Sequence, residues 1–323
     1  MKRLNVFVGL IMLTTALGLC TTAAPAAAQG VTLRYHWTKG DTLSYRLTTQ
    51  IDSSVTGTPA GDLQINQTIT QTLKIVADDV AQDGTATLRE TFEAVKMDMD
   101  GPMGHVTYDT AAPAANQSPM AQAAGQVFSA MVGETITIVQ APDGTVNKVD
   151  GASRILDKMA KGVPEDMAAA GVLQGLKTML SDDALKTTLQ QSFSKLPPGA
   201  VKPGDAWKGQ LEIANPMVGK IAGALDFTLK AADGGQDGTA RIGVAMALKQ
   251  EGAPGPGVMG MTMTLGNAKG EGEILFDVGK GRIQKSTMKS VMPATIAGQA
   301  PDGTQMSMQN TTTTNVTMEL INK

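Results

Sequence analysis

One cysteine, Cys20, and two histidines, His36 and His105, are all that 323 residues provide of these types. A Cys/His zinc cluster, a multi-histidine metal centre and a disulfide framework are therefore excluded. Basic residues are not concentrated anywhere: 27 Lys and Arg stand against 30 Asp and Glu, and no dense basic run occurs, so nucleic-acid binding has no electrostatic footprint. Also missing are a Gly-x-Ser-x-Gly elbow and a Gly-x-x-x-x-Gly-Lys-Ser/Thr phosphate loop. Without a nucleophile, acid and base in a recognisable pattern, we expect no enzyme, no cofactor and no bound metal. Aromatic residues are only 3% of the chain, so an apolar interior has to be built from aliphatic side chains, Ala and the 20 methionines.

A long apolar run occurs only at the beginning. Lys2 and Arg3 precede the stretch from Val6 to Leu19, and an Ala-rich segment ends at Ala26-Ala27-Ala28 before Gln29. This is the three-part plan of a secretory signal peptide, with cleavage expected near Ala28. The expectation is an exported protein, periplasmic or extracellular, whose mature chain has no transmembrane span. Lipidation at Cys20 is the rival reading, weakened by the bulky Leu19 before it. If residues 1–28 are removed, Cys20 leaves with them and the mature chain has no cysteine to oxidise.

The dominant pattern after the leader is strict alternation. From Leu63 onward, Ile65, Ile69, Leu73, Ile75 and Ala77 alternate with Gln64, Asn66, Thr68, Thr70, Thr72 and Lys74, as in a strand with one buried face. The same period appears at Leu33/Tyr35/Trp37, Leu43/Tyr45/Leu47, Ala86/Leu88/Phe92, Ile242/Val244/Met246/Leu248, Met259/Met261/Met263/Leu265 and Val316/Met318/Leu320. Turn residues such as Lys39-Gly40-Asp41, Gln82-Asp83-Gly84 and Asp143-Gly144 separate several of them. Between Ile155 and Leu196 the spacing changes to three and four: Ile155/Met159, Leu173/Leu176/Leu180, then Leu185/Leu189/Phe193/Leu196. These read as amphipathic helices, one opened by Ser181-Asp182-Asp183 and the last stopped by Pro197-Pro198-Gly199. A further short helix is expected from Ser118-Pro119 to about Met131.

The two strand-rich regions also resemble each other. Thr72-Leu73-Lys74 matches Thr228-Leu229-Lys230, Gln82-Asp83-Gly84-Thr85-Ala86 matches Gln236-Asp237-Gly238-Thr239-Ala240, and Met103-Gly104 matches Met259-Gly260. Gly40-Asp41, near Trp37, has a counterpart in Gly204-Asp205 before Trp207. Self-similarity in conserved order suggests duplication. The expected fold is α+β: two duplicated antiparallel sheet halves, residues 29–150 and 199–323, form a curved sheet or open barrel. A helical segment, 151–198, covers its apolar face, all in one compact unit.

Three stretches carry a family resemblance: Leu33-Arg34-Tyr35-His36-Trp37-Thr38-Lys39-Gly40-Asp41-Thr42, then Leu196-Pro197-Pro198 with Val201-Lys202-Pro203-Gly204-Asp205-Ala206-Trp207, and the Thr-rich closing strand. Together they resemble a family of secreted bacterial proteins of unknown function. The resemblance implies an envelope protein with helices against the concave side of a curved antiparallel sheet, similar to the lipoprotein carriers LolA and LolB. It supplies no catalytic residues.

Candidate binding residues come from the methionines. Met97, Met99, Met103 and His105 place three thioethers and an imidazole within nine residues, and Met259, Met261 and Met263 form a second set. Such ligands suit Cu(I), but alternate methionines on a strand serve more often as core filler. His36 falls on the strand face opposite Tyr35 and Trp37. Asp98, Asp100 and Asp109 hint at a divalent ion without the oxygen spacing of an EF-hand. The leading expectation is non-enzymatic binding of a hydrophobic or lipid-like molecule in the concave face. The alternatives are a structural or protein-interaction module with a packed core, joined to an envelope protein partner, and Met-rich copper binding. A continuous cavity would separate the first from the second.

Overall fold

A computed structural model describes residues 30–58, 61–102, 104–112, 125, 128–162, 181–192, 196–215, 218–233, 238–252, 262–299 and 305–322. The leader with Cys20, most of the Ser118–Met131 stretch, Leu173/Leu176/Leu180, Met103, Met259 and Met261 lie outside the described residues.

Strands β1 (Thr42–Thr56), β2 (Leu63–Val80), β3 (Ala86–Gly101), β4 (Gly104–Asp109), β5 (Thr135–Gln140) and β6 (Val146–Asp150) come first. Helices α1 (Ala152–Gly162) and α2 (Asp182–Ser192) follow. Then come β7 (Ala206–Asn215), β8 (Gly219–Asp233), β9 (Thr239–Glu251), β10 (Thr262–Leu265), β11 (Ala268–Asp277), β12 (Arg282–Gln299) and β13 (Gln305–Leu320). All belong to one sheet in the order β6-β5-β3-β2-β1-β13-β12-β11-β9-β8-β7, with β4 on β3 and β10 on β12 off that path. Every pairing is antiparallel, as the period-2 pattern requires.

The strand order contains its own repeat. β6-β5-β3-β2-β1 and β12-β11-β9-β8-β7 are the same arrangement taken six strands apart, with β13 inserted between them. Hydrogen bonds repeat as well. In the first copy Gly40 N–H donates to Ala77 O (2.8 Å), Ala77 N–H to Asp41 O (2.9 Å), and Thr38 N–H to Asp41 Oδ2 (2.8 Å). In the second, Gly204 N–H donates to Leu229 O (2.8 Å), Leu229 N–H to Asp205 O (2.9 Å), and Lys202 N–H to Asp205 Oδ2 (3.0 Å). Gly40 and Gly204 both hold positive φ, 91° and 97°, where a side chain would be strained. The copies differ in one short strand: β4 extends the sheet beside β3, whereas β10 pairs with β12.

Alternation sends one residue set to each face. Outward, Thr70, Thr48, Thr317 and Thr287 lie side by side across four strands, a β-branched row suited to a pleated surface. Three register positions along, Leu73 and Tyr45 are buried beside Leu320 on the inner face. The core forms two main clusters. One is built on Leu33, Phe227, Leu229, Ile242 and Phe276, the other on Leu88, Ile138, Ile75 and Val146 together with Ile155 and Met159 of α1. Trp37 and Met318 pack against both, which ties the copies together.

Leu33/Tyr35/Trp37 is not a ladder strand, contrary to the expectation. The segment alternates correctly, with Val31, Leu33 and Tyr35 buried, but its backbone bonds go singly to three separate places. Val31 exchanges bonds with Val201 (2.8 and 2.9 Å), Tyr35 N–H donates to Pro142 O (2.8 Å), and His36 N–H donates to Gly281 O (3.1 Å). It crosses the ends of strand turns from both copies, so no neighbour runs alongside it. His36 is exposed, as expected.

The helices cover the apolar side. In α1, Ala152, Ile155, Leu156 and Met159 are buried, and Asp182 caps the helix from a distance by accepting the Ala152 N–H (2.9 Å). Ser181 opens α2 as expected, its Oγ accepting the Ala184 N–H (3.2 Å), with Asp182 and Asp183 in the first turn. Leu196, expected at the end of the last helix, is extended chain buried in the core, its N–H donating to Asp143 O (2.9 Å). The edge strands β6 and β7 do not pair, so the sheet stays open. α2 packs against both of them, and Gln190 Nε2 of α2 donates to Val146 O on the open edge of β6 (3.2 Å). A helix thus stands in the seam where a barrel would close, and it covers an edge that would otherwise template aggregation.

Candidate functional site

The inner face of the sheet lines a half-open cavity of about 510 Å³. Its wall draws on both copies. Leu47, Leu73 and Phe92 come from β1 to β3, Leu225, Phe227, Val244 and Met246 from β8 and β9, Met288 from β12, and Val316 and Met318 from β13. Leu189 of α2 forms part of the boundary. Residues from strands as far apart in the sheet as β3 and β7 can share one hollow only because the sheet is strongly curved.

That curvature has a local cause in β11. Gly272 lies in register between Val244 and Met288 on the cavity side. A Cβ there would meet Thr287 O at 2.1 Å and Met288 Cα at 3.0 Å. No side chain fits, and the absence of one lets the neighbouring backbone close in.

One acidic and one basic residue, Glu90 and Arg282, interrupt the apolar wall. Glu90 lies in register between Ile75 and Ile136, is only 6% exposed, and lines the cavity. Burial pushes its carboxyl from 4.5 up to about 7, because the charged form is poorly solvated there. Arg282 stands at the start of β12 near Tyr45. Burial pushes the Tyr45 phenol up and the Arg282 charge opposes this. The Tyr45 hydroxyl donates to Ile283 O at 2.9 Å. Gln71 and Ser286 add polar atoms to the same wall, and Trp37, also in the wall, donates from Nε1 to Gln140 Oε1 at 3.1 Å. A greasy concavity with a few placed polar groups is the ordinary form of a small-molecule site, and the volume lies within the usual range of about 300–1,000 Å³.

Of the methionines singled out in the sequence, the described ones, Met97, Met99 and Met263, sit elsewhere. Met97 is buried and packs with Val106 and Tyr108, with Met99 against the same cluster. His105 is exposed on the opposite face of the β3–β4 hairpin, its Nδ1 2.9 Å from Asp100 Oδ1 and its Nε2 3.8 Å from Asp98 Oδ2. Strand alternation therefore keeps the imidazole away from the two thioethers. Met263 is half-buried on β10, in register with Ile296 and not in the cavity wall. Asp98, Asp100 and His105 form the one acid–imidazole group among the described residues whose ligand atoms gather within 4.8 Å, a hydrogen-bonded cluster on the surface. Among the described residues, the methionines that reach the cavity are Met246, Met288 and Met318. Met246 and Met318 were legible as inward strand positions, but nothing in their spacing marked them as cavity rather than core. Glu90 had a signal: it occupies an inward position in the series Ala86, Leu88, Phe92.

An open antiparallel sheet curved around an apolar cavity is the class of structure this defines. Residues 83–283 match the family of unknown function DUF6263, and the chain belongs to that family. No curated protein matches the chain. Among solved structures it is similar to lipovitellin, at 8% identity and a TM-score of 0.46 over 89% of this chain and 26% of that one. The chain thus spans about a quarter of lipovitellin's length. It also aligns with DynF from the dynemicin biosynthesis pathway of Micromonospora chersina, at 10% identity and a TM-score of 0.21 over 92% of this chain and 89% of that one. OpdQ of Pseudomonas aeruginosa aligns at 7% identity and a TM-score of 0.18 over 87% of this chain and all of that one. Agreement at these levels carries no argument about ligand or activity.

Proposed function

We propose that this protein binds a hydrophobic or lipid-like molecule in the cavity of its curved sheet and performs no chemistry on it. The observation that carries the reading is the apolar hollow of about 510 Å³ shared by both sheet copies and bounded by α2. Burying one methylene contributes about 0.8 kcal/mol, so an acyl chain of roughly fifteen carbons gains on the order of 10 kcal/mol gross before ordering costs. The packed structural module, the competing reading, has no use for such a space. In this account the protein works in the cell envelope, periplasmic or extracellular, after loss of the leader near Ala28. The likeness to lipoprotein carriers belongs to the same proposal, supported by a helix seated against the concave side of an antiparallel sheet.

The test is organic extraction and lipid mass spectrometry of protein purified from its native host, beside a Met246→Trp variant in which the larger ring fills the cavity. A stoichiometric apolar compound from the wild type, absent from the variant, is the expected result. An empty extract from both, with no uptake of added apolar probes, would refute the reading.

A further inference from the structure

The strongest unexplained polar feature is Arg282. It lines the cavity, and its Nε is buried without a hydrogen-bond partner among the described residues. Its register partner across the sheet is Asp277, the obvious counter-ion. However, Asp277 Oδ1 accepts the Lys280 N–H (2.8 Å) and Oδ2 accepts from Gln284 Nε2 (3.1 Å), and no ion pair joins it to Arg282 among the described residues. The guanidinium therefore borders a largely apolar wall with its buried Nε lacking a partner among the described residues. It also borders a smaller hollow of about 110 Å³ lined by Asp277, Lys280, Gln284 and Leu320, so two cations and one carboxylate share that hollow. The hydroxyls of Tyr45 and Ser286 belong to the same cavity wall.

We infer that the ligand is a single-chain amphiphile with an anionic, carboxylate-type head, the head received by Arg282 and the chain lying along Leu47, Met318, Val316, Met288 and Val244. The inference rests on the reading of the cavity as a ligand site and names the ligand's class. A planar guanidinium matches a carboxylate bidentately, and a buried Nε–H without a partner is costly, so an anion that accepts from it gains where a neutral head gains less. Glu90 does not favour the opposite sign. Its burial keeps the proton on up to about pH 7, so it offers a cationic head little charge and repels an anionic one little below that pH.

The experiment compares dodecanoate, dodecanol and dodecylammonium, which share one tail, by calorimetric titration at pH 6.5 below their aggregation thresholds. The wild type is measured beside Arg282→Gln and Arg282→Lys, with circular dichroism as the check on folding. Dodecanoate is expected to bind the wild type about tenfold or more tighter than dodecanol. Arg282→Gln should bring dodecanoate down to the level of dodecanol while leaving dodecanol unchanged, and Arg282→Lys should keep part of the preference. Equal binding of dodecanoate and dodecanol to the wild type overturns the inference and leaves the cavity reading standing. Tightest binding of dodecylammonium overturns it and assigns the head to Glu90. Failure of all three ligands removes both. Should Arg282→Gln not fold, the wild-type ranking and Arg282→Lys still decide.

Discussion

Replacing Glu90 with glutamine isolates the energetic consequence of placing a carboxyl inside the apolar wall. Burial raises its pKa from 4.5 to about 7, so the folded protein holds this proton over a pH range in which the unfolded chain has released it. Stability at this site is fully present below about pH 4.5 and falls as pH rises, because between the two values the native state binds more protons than the unfolded one. Above about pH 7 both states are ionised and the loss levels off. The shift of roughly 2.5 units at about 1.4 kcal/mol per unit gives a loss on the order of 3 kcal/mol. Glutamine keeps the shape and has no proton to lose. In urea unfolding followed by circular dichroism, the difference in stability between Glu90→Gln and wild type should therefore grow in favour of the variant by up to about 3 kcal/mol between pH 4.5 and pH 8. For an m-value of about 3 kcal/mol/M this is a midpoint shift of about 1 M. Taking the difference between the two proteins cancels the other titrating groups, including the surface carboxylates of Asp78 and Glu319, whose pKa values are lowered by Arg89 and Lys285. Parallel stability curves for variant and wild type would show that Glu90 is solvated or compensated, and the reasoning about the cavity wall would fail.

Other perturbations address separate parts of the account. Asp41→Ala and Asp205→Ala each remove the same turn bond, to Thr38 and Lys202 respectively. They should each cost about 1 kcal/mol by urea unfolding and add in the double variant, whereas a large inequality would deny the equivalence of the two copies. Met97→Ala should cost about 2–5 kcal/mol, Met97→Leu less than about 1.5 kcal/mol, and His105→Ala within about 0.5 kcal/mol. A Cu(I) titration in which Met97→Leu and His105→Ala both lose tight binding would restore a metal role. Gly272→Ala meets backbone rather than a flexible side chain and should lower the melting temperature by several degrees. A neutral result would mean that β11 is not held closely against β12.

Much of the fold was legible because alternation is a local property. Ile75, Leu73 and Ala77 face inward in the structure for the reason visible in the sequence. The Gly-Asp turns were legible as a pair, and their equivalence extends to individual hydrogen bonds. The N-terminal segment was not, since Leu33 and Tyr35 have the period of a strand and periodicity says nothing about whether a neighbour runs alongside. The cavity was legible only as a possibility. Its volume depends on how far two sheet copies curl toward each other, which is decided by Gly272, by bulges and by α2 in the seam, and these act between residues distant in sequence. Arg282 was invisible for a related reason: the register shifts opposite Leu275 and Phe276, so alternation cannot be carried back from Ser286 to reveal which way Arg282 faces. The Met97/Met99/His105 grouping shows the converse, where closeness in sequence on a strand distributes side chains to opposite faces.

The most direct test of occupancy uses the methionines themselves. With methyl-13C methionine labelling, titration with dodecanol and dodecanoate should shift the resonances of Met246, Met288 and Met318 saturably and leave those of Met97 and Met263 in place. If the three cavity methyls stay fixed while the ligand is taken up, or if shifts spread across the molecule without saturating, the hollow is not where an apolar molecule binds.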